Sequence, residues 1–386
     1  MKYKIVCIAD IHWGALDADK QRKELSIIFE YLSEHKIDLV VICGDYFDHK
    51  LLLNSQASLQ SIDFMSSLRR LSIENGFKIR IFDGTRSHDY DQLEVFVPFD
   101  DGNNFRVFRH TTQEETLPEL KCLYVPDENM SNDDWYREYG TIIMDKDNDI
   151  MFFHGNFDNM LGGLLTNDED TNTKNVVFEY GVLSRIFSVM IGGHWHDADY
   201  IGNMYYTRSV NRWKFGEDRS KGFIVCDYDT DNRSYTITRI DNPYTDEYKT
   251  FLIDTSIFTS IDDYNSLSTD VDKKLKEDES VHIKIKIVVT NDSSNNHIFI
   301  DNIKNKYSMD RRVKISLENK FAKQKKKEKS KHLSDSKDKY AFLFNSNIGI
   351  EEKFIEFIKL TRGIELDVED VKEALSNYLK EEEKKI

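Results

Sequence analysis

Nowhere does the chain run through eighteen uncharged apolar residues, and its first segment, MKYKIVCIAD, reaches an acidic residue within ten positions, so neither a membrane span nor a secretion signal is predicted. Paired cysteines are missing as well. Cys7, Cys43, Cys122 and Cys226 lie far apart, each inside an apolar run (IVCIAD, VVICGD, KCLYV, FIVCDY). That excludes a disulfide framework or zinc knuckle, and the four read as reduced core residues of an intracellular, cytoplasmic protein. There is no surplus of basic residues: a formal net charge of -16 excludes a uniformly basic nucleic-acid surface, so any phosphate-binding face must be local. No internal repeat is found. What remains is a globular chain of 386 residues, 39% hydrophobic and 12% aromatic, able to bury a large core and long enough for two or three units.

Residues 1–245 alternate β-branched runs with amphipathic stretches, the pattern of an α/β layered domain. YKIVCIAD reads as a buried strand. Leu25, Ile28, Phe29 and Leu32 then mark one helix face within residues 22–36, DLVVICGD a second strand, Leu59, Ile62, Met65 and Leu68 a second helix face, and KIRIFDG a third strand. Further strands are predicted at IIMD, DIMFFHG, SVMIGGH and GFIVCDY. Asn242 and Pro243 close this domain. Residues 246–318 read as a small α+β unit, with DEYKTFLIDT and VHIKIKIVVT as strands around a polar, helix-compatible stretch. Residues 319–345 form a basic linker, nine lysines standing against three acids in 320–339, a composition that cannot repay ordering entropy alone. Residues 346–386 read as a helical tail: Phe354, Ile355, Phe357 and Ile358 share one helix, Gly363 breaks it, and Asp367 caps another carrying Val368, Val371, Leu375 and Tyr378. Two such short helices do not stand alone; they fold back on their own domain or dock on a partner.

Five of the strand-like runs end in metal-competent side chains: IADIH (Asp10, His12), CGDYFD (Asp45, Asp48), DGTRSHD (Ser87, His88, Asp89), FFHG (His154) and IGGHWH (His194, His196). An α/β fold gathers the loops after its strands at one rim, so clusters in register with five strands converge. The i, i+2 spacing of Asp10 with His12 and of His194 with His196 keeps both side chains on one side of an extended segment. Gly44, Gly84, Gly155, Gly192 and Gly193 stand beside them, where close backbone approach demands a residue without Cβ. Oxygen and imidazole donors without thiolate suit manganese, iron or zinc, and Asp45 is the natural carboxylate to bridge two ions. Asp48 and His49 are either supporting residues or plain solvated loop polarity.

In that order the motifs D-x-H, GDxxD, G-x-x-x-HD, H-G and GH-x-H resemble the calcineurin-like binuclear metallophosphoesterases. Within that superfamily, GDYFDHK and the stretch YTRSVNRWKFGEDRSKGFIV resemble the nuclease subunit of the SbcCD, meiotic-recombination-type complex and its bacteriophage recombination endonuclease counterparts. The likeness covers about residues 1–230 by motif and the C-terminal third by architecture only. It implies a four-layer αββα sandwich with a small α+β capping, DNA-binding domain and a C-terminal helical tail. It implies two divalent ions, Mn²⁺ first with Mg²⁺, Fe²⁺ or Zn²⁺ as alternatives, one held by Asp10, His12, Asp45 and His196 and the other by Asp45, His154 and His194. His88, oriented by Asp89, would stand beside the leaving group. One departure is visible: the family's G-N-H-D places an Asn on the second metal, whereas this chain reads G-T-R-S-H-D, with the shorter Ser87 in that slot.

Arg208, Ser209, Asn211 and Arg212, just past the last motif, are candidate grips on a nucleic-acid backbone or simply surface loop residues. The resemblance further implies a homodimer within a heterotetramer, with the tail helices bound to an SbcC-type, SMC-like ABC ATPase, and no membrane. Three functions are then in competition. The first is a Mn-dependent DNA nuclease, exonuclease on duplexes and endonuclease on single strands and hairpins, serving recombination, repair or phage DNA processing. The second is a phosphatase on protein or small-molecule phosphoesters; the third is a catalytically weak, DNA-clamping scaffold, which Ser87 keeps open. The Asn-, Asp- and Lys-rich composition fits an AT-rich genome, viral ones included, in which case the cytoplasm is the host's.

Overall fold

The computed structural model describes residues 1–159, 176–217, 219–256, 260–290, 294–320, 349–362 and 366–372. In chain order its strands are β1 (Lys2–Ile8), β2 (Leu39–Cys43), β3 (Lys78–Phe82), β4 (Phe105–Phe108), β5 (Thr112–Leu117), β6 (Leu120–Val125), β7 (Ile150–His154), β8 (Asn156–Phe157), β9 (Val177–Phe178), β10 (Val189–Gly193), β11 (Tyr200–Ile201), β12 (Met204–Tyr206), β13 (Gly222–Asp229), β14 (Ser234–Asp241), β15 (Tyr248–Asp254), β16 (His282–Val289) and β17 (Val313–Asn319). They form two six-stranded sheets, ordered β14-β13-β1-β2-β3-β4 and β11-β12-β10-β7-β6-β5, a three-stranded sheet β15-β16-β17 and a short β8-β9 pair. Within the large sheets β1 through β4 run parallel, as do β6, β7, β10 and β12. The antiparallel strands β13, β14, β5 and β11 flank these parallel centres.

The period-two alternation of each strand sorts its residues between layers. From β1 and β2, Val6, Ile8, Val40 and Ile42 join helix residues Leu25, Ile28, Leu32, Phe64, Met65 and Leu68 in one buried cluster. Their alternates Ile5, Cys7, Leu39, Val41 and Cys43 meet Cys122, Tyr124, Ile150, Phe152, Val189 and Ile191 of the opposite sheet. The far face of that second sheet, with Leu123, Met151, Phe153 and Met190, is covered by Trp135, Ile143 and Leu183. The result is an αββα sandwich whose central strands are buried on both faces and so read as continuous apolar runs. All four cysteines lie in the layer between the sheets as free, buried thiols.

The helices that cover the first sheet are α1 (Ala18–Glu24), α2 (Ser26–Glu34) and α3 (Gln56–Asn75); α4 (Arg86–Asp89) is a single turn after β3, and α5 (Asn132–Ile143) covers the second sheet. Asp17 caps α1 and Ser55 caps α3, which Gly76 ends at φ 77°. Three details differ from the sequence expectation. The helix predicted over 22–36 is two segments meeting at Leu25. The buried face of α3 is Ser61, Phe64, Met65, Leu68 and Ser72, leaving Leu59 54% exposed. Serines enter that face because their hydroxyls donate to backbone carbonyls, Ser61 to Ser58 and Ser72 to Phe77. IIMD is not a strand: Ile142 and Ile143 finish α5, a helix capped by Ser131 and anchored by buried Trp135.

The described chain divides into two compact units, one of residues 1–250 with 271–284 and the other taking in the described parts of 251–270 and 285–386. Both predicted strands beyond residue 245 are present as β15 and β16, with a helix at Ile261–Glu277 between them; a second helix, Ser294–Tyr307, precedes β17. A further helix spans Ile350–Arg362. Most of the predicted basic linker and, in the tail, Gly363, Leu375 and Tyr378 lie outside the described residues. Among the described residues, no helix is long and apolar enough to cross a membrane.

Candidate metal centre

The segments that follow β1, β2 and β3 in one sheet and β7 and β10 in the other bring their polar side chains to one place. Three groups of side chains there have ligand atoms close enough to share an ion: Asp10, His12 and His196; His12, Asp45 and His88; and Asp45, His154 and His194. Asp10, His12 and His154 are fully buried, and Asp45 is 2% exposed. The backbone is bent hard to achieve this. Asp10, His12, Asp45 and His194 all have positive φ, at 53°, 52°, 48° and 103°, a conformation non-glycine residues hold only where the surroundings impose it. The imposing contacts are backbone hydrogen bonds between the loops, from Asp10 N to the Gly44 carbonyl (3.2 Å) and from His12 N to the Asp45 carbonyl (3.0 Å). Glycine is needed for the closeness: a Cβ on Gly44 would stand 2.4 Å from His154 Nδ1, and one on Gly84 2.1 Å from Asp45 N.

Three of the imidazoles are aimed by a partner on Nδ1, whereas His194 turns its own Nδ1 inward, 3.4 Å from the Thr85 hydroxyl. His154 Nδ1 donates to the Cys43 carbonyl at 2.8 Å, His196 Nδ1 to Glu217 Oε1 at 2.7 Å, and His12 Nδ1 faces Asp48 Oδ1 at 3.5 Å. With acceptors on that side, the proton of each of these neutral rings belongs on Nδ1 and the Nε2 lone pair points inward. His12 Nε2 and His196 Nε2 then face each other at 3.1 Å, and His154 Nε2 faces Asp45 Oδ2 at 3.2 Å. Lone pairs and carboxylates converge in this way on a cation.

The electrostatics agree. Burial alone would raise the Asp45 pKa, but the His154 and His12 imidazoles hold it far below the carboxylate range. Burial would lower His154, yet the Asp45 charge lifts it to about 10, so the pair draws in a positive charge that a divalent ion can supply in the proton's place. Burial, with His154 beside it, lowers His194 to about 3, which keeps it neutral and able to donate a lone pair. Glu217, against burial, is taken down to about 2 by His196 and Lys221. The donor set therefore fits divalent ions.

Around this cluster the structure corrects several expectations. The hydroxyl that faces Asp45, His154 and His194 is not that of Ser87 but that of Thr85, at 3.3, 3.3 and 3.4 Å, with Thr85 N donating to Asp45 Oδ1 at 2.6 Å. Ser87 is exposed, because the turn of α4 starts after Thr85 and carries it outward. Asp89 does not orient His88. Its buried carboxylate accepts from Phe47 N (2.9 Å) and Gly84 N (2.7 Å), tying the loops after β2 and β3 together. His88 is instead held by the Asp48 carbonyl, 2.5 Å from its Nδ1, with its ring edge-on to His12 at 4.7 Å. Burial lowers the His88 pKa, but Asp45 and Asp48 raise it on balance. Asp48, read in the sequence as support or solvation, thus contacts both His12 and His88.

The four residues read as a backbone grip point inward. Arg208 gives its guanidinium to the Ala198 and Ser220 carbonyls and to Asp199, and Arg212 to the carbonyls of Glu217, Asp246 and Arg219. Ser209 and Asn211 are fully buried. With both guanidinium groups satisfied internally and Ser209 and Asn211 shut away from solvent, these residues shape the loop instead of presenting it to phosphate. Sequence reasoning missed Glu217, Lys221 and Trp213. Lys221 is buried with Nζ on the His196 carbonyl (3.0 Å) and Asp197 (2.9 Å), and the Trp213 ring packs 5.0 Å from His12 and 5.4 Å from His196. The signal for all three lay inside the stretch already singled out, YTRSVNRWKFGEDRSKGFIV.

A family model described as calcineurin-like phosphoesterase matches residues 3–198, which spans every strand-end motif from Asp10 to His196. No curated protein matches the chain.

Proposed function

The chain belongs to the calcineurin-like phosphoesterase family, whose members bind two divalent metals and hydrolyse phosphoesters, and from that premise we propose that it is a Mn²⁺-dependent DNA nuclease. In this reading Asp10, His12, Asp45 and His196 hold one ion, and Asp45, His154, His194 and Thr85 the other. Bound there, two divalent ions would supply Lewis acidity for activating water and for neutralising charge on the phosphoryl oxygens. The protein's part is to fix the donors from five rigid strand ends and to place a proton. His88, with Nδ1 engaged by the Asp48 carbonyl, has Nε2 left to hold a proton at the departing oxygen, a role worth about a hundredfold or more in rate. Asp89 keeps the loop that carries His88 in register with the loop that carries Asp45.

One observation favours a nuclease over a general phosphatase. The stretch at 206–225, whose sequence resembles the corresponding part of the SbcD-type nucleases, is built into the metal centre: Glu217 holds His196 and Trp213 packs on His12 and His196. In the same reading the capping unit engages DNA. The helix at Ile350–Arg362, on which Phe354 is 45% exposed, docks on an SMC-like ATPase partner, and the phosphoesterase domain is a homodimer. The test is incubation of the purified chain with Mn²⁺ and, in parallel, linear duplex, hairpin and single-stranded DNA and p-nitrophenyl phosphate. DNA degradation that disappears in His88→Ala is the expected result. Turnover of the small ester alone makes the protein a phosphatase, and DNA binding without turnover makes it a scaffold.

A further inference from the structure

The stretch that carries Glu217 also carries R-W-K-F, residues 212–215, in which aromatic and basic residues alternate, and the structure continues that alternation. The Trp213 ring lies against His12 and His196 at the metal centre, with Lys214 Nζ 5.0 Å over it. Two residues on, Phe215 packs edge-on to Tyr248 at 5.0 Å, with Lys284 Nζ 6.0 Å from its ring, and Tyr248 stacks on His282 at 4.7 Å and 21°. Trp213, Phe215, Tyr248 and His282 are each only partly buried, while Lys214 is exposed. Of the five cation–aromatic pairs among the described residues, two fall on this stripe, which begins at the ligand rings of the metal centre.

Building on the nuclease reading, we infer that this stripe is a stacking platform for the unpaired bases of a nucleic-acid strand whose phosphodiester lies at the metal centre. Aromatic faces accept any base, and lysines beside them meet the phosphates between bases, which is the chemistry of sequence-tolerant single-strand binding. The platform supplies what Arg208 and Arg212, spent on backbone carbonyls, do not. It makes the preferred substrate a single strand, a frayed end or a hairpin loop in place of a closed duplex.

The experiment compares the binding of oligothymidylate, oligouridylate and an abasic strand of equal length in EDTA, by fluorescence anisotropy, with cleavage of the same strands in Mn²⁺. Stacking is expected to make the base-bearing strands bind about tenfold or more tightly than the abasic one. Phe215→Ala and Tyr248→Ala should each shrink that ratio, with Phe215→Leu as the variant that preserves packing if alanine unfolds the loop. The comparison in the unmutated chain needs no variant. Equal binding of base-bearing and abasic strands, or a ratio untouched by all three substitutions, overturns the platform. If cleavage persists in that case, the nuclease reading survives without it. Base-dependent binding with no cleavage keeps the platform and removes the nuclease, and neither binding nor cleavage removes both. A difference between thymidylate and uridylate tells DNA from RNA.

Discussion

On one side of Asp45, His196 and His12 turn their Nδ1 atoms toward side-chain carboxylates, Glu217 at 2.7 Å and Asp48 at 3.5 Å; on the other, His154 turns its Nδ1 to the backbone carbonyl of Cys43, at the buried end of β2. A carboxylate makes the imidazole it holds more basic and can be removed by one substitution. A carbonyl at the end of a core strand cannot be removed without the sheet. What holds the imidazoles of the first half is therefore adjustable by mutation, whereas what holds His154 is as persistent as the fold.

The largest effect belongs to the residue common to both halves. Asp45→Ala should abolish binding of both ions, read as metal content after dialysis, and lower small-ester turnover by at least about a thousandfold, ~4 kcal/mol in barrier. A variant that kept one ion at full affinity would show that the halves do not share this carboxylate. Next comes His88→Ala, expected to cost about a hundredfold in turnover while metal content stays the same. Because His88 also lies within reach of His12 and Asp45, loss of an ion in that variant would make it a ligand and not a proton donor.

Glu217→Gln separates the halves. It should weaken one ion by about tenfold to a hundredfold, the usual range for a lost carboxylate behind a ligating histidine, and leave the ion at His154 and His194 in place. A two-site Mn²⁺ titration checks this: one isotherm should shift, and a shift of both would mean that the halves are mechanically coupled through Lys221 and the 207–221 loop.

The same contrast explains what could be read from the sequence. Asp10, His12, Asp45, His154, His194 and His196 were legible because each sits at the last residue of a strand or within a few residues beyond it, and strands buried on both faces make the apolar runs that mark those ends unmistakable. Glu217 was not, because it stands twenty-one residues after the histidine it holds, among D, R, S and K, where a carboxylate looks like solvated loop. Thr85 was passed over for Ser87 because counting back from His88 takes no account of the helical turn that carries Ser87 outward. Arg208 and Arg212 look like phosphate ligands in sequence, since nothing there reveals that their donors close on carbonyls of their own loop. Buried serines hid the true face of α3 for a related reason: hydrogen bonds to backbone carbonyls let polar residues occupy apolar positions.

Thr85→Ala should give the smallest change. The hydroxyl is nearly equidistant from Asp45, His154 and His194, but the backbone N–H that donates to Asp45 Oδ1 at 2.6 Å survives the substitution. What is lost is one neutral oxygen donor, worth about 1 kcal/mol or a few-fold in Mn²⁺ affinity on the His154 side alone. Thr85→Asn places a longer amide oxygen in the same slot and should tighten that site where alanine loosens it. The pair of variants tests direction as well as size, in the same two-site titration as Glu217→Gln. If asparagine and alanine both weaken the site equally, the threonine hydroxyl acts by filling space between the two imidazoles and not as a donor.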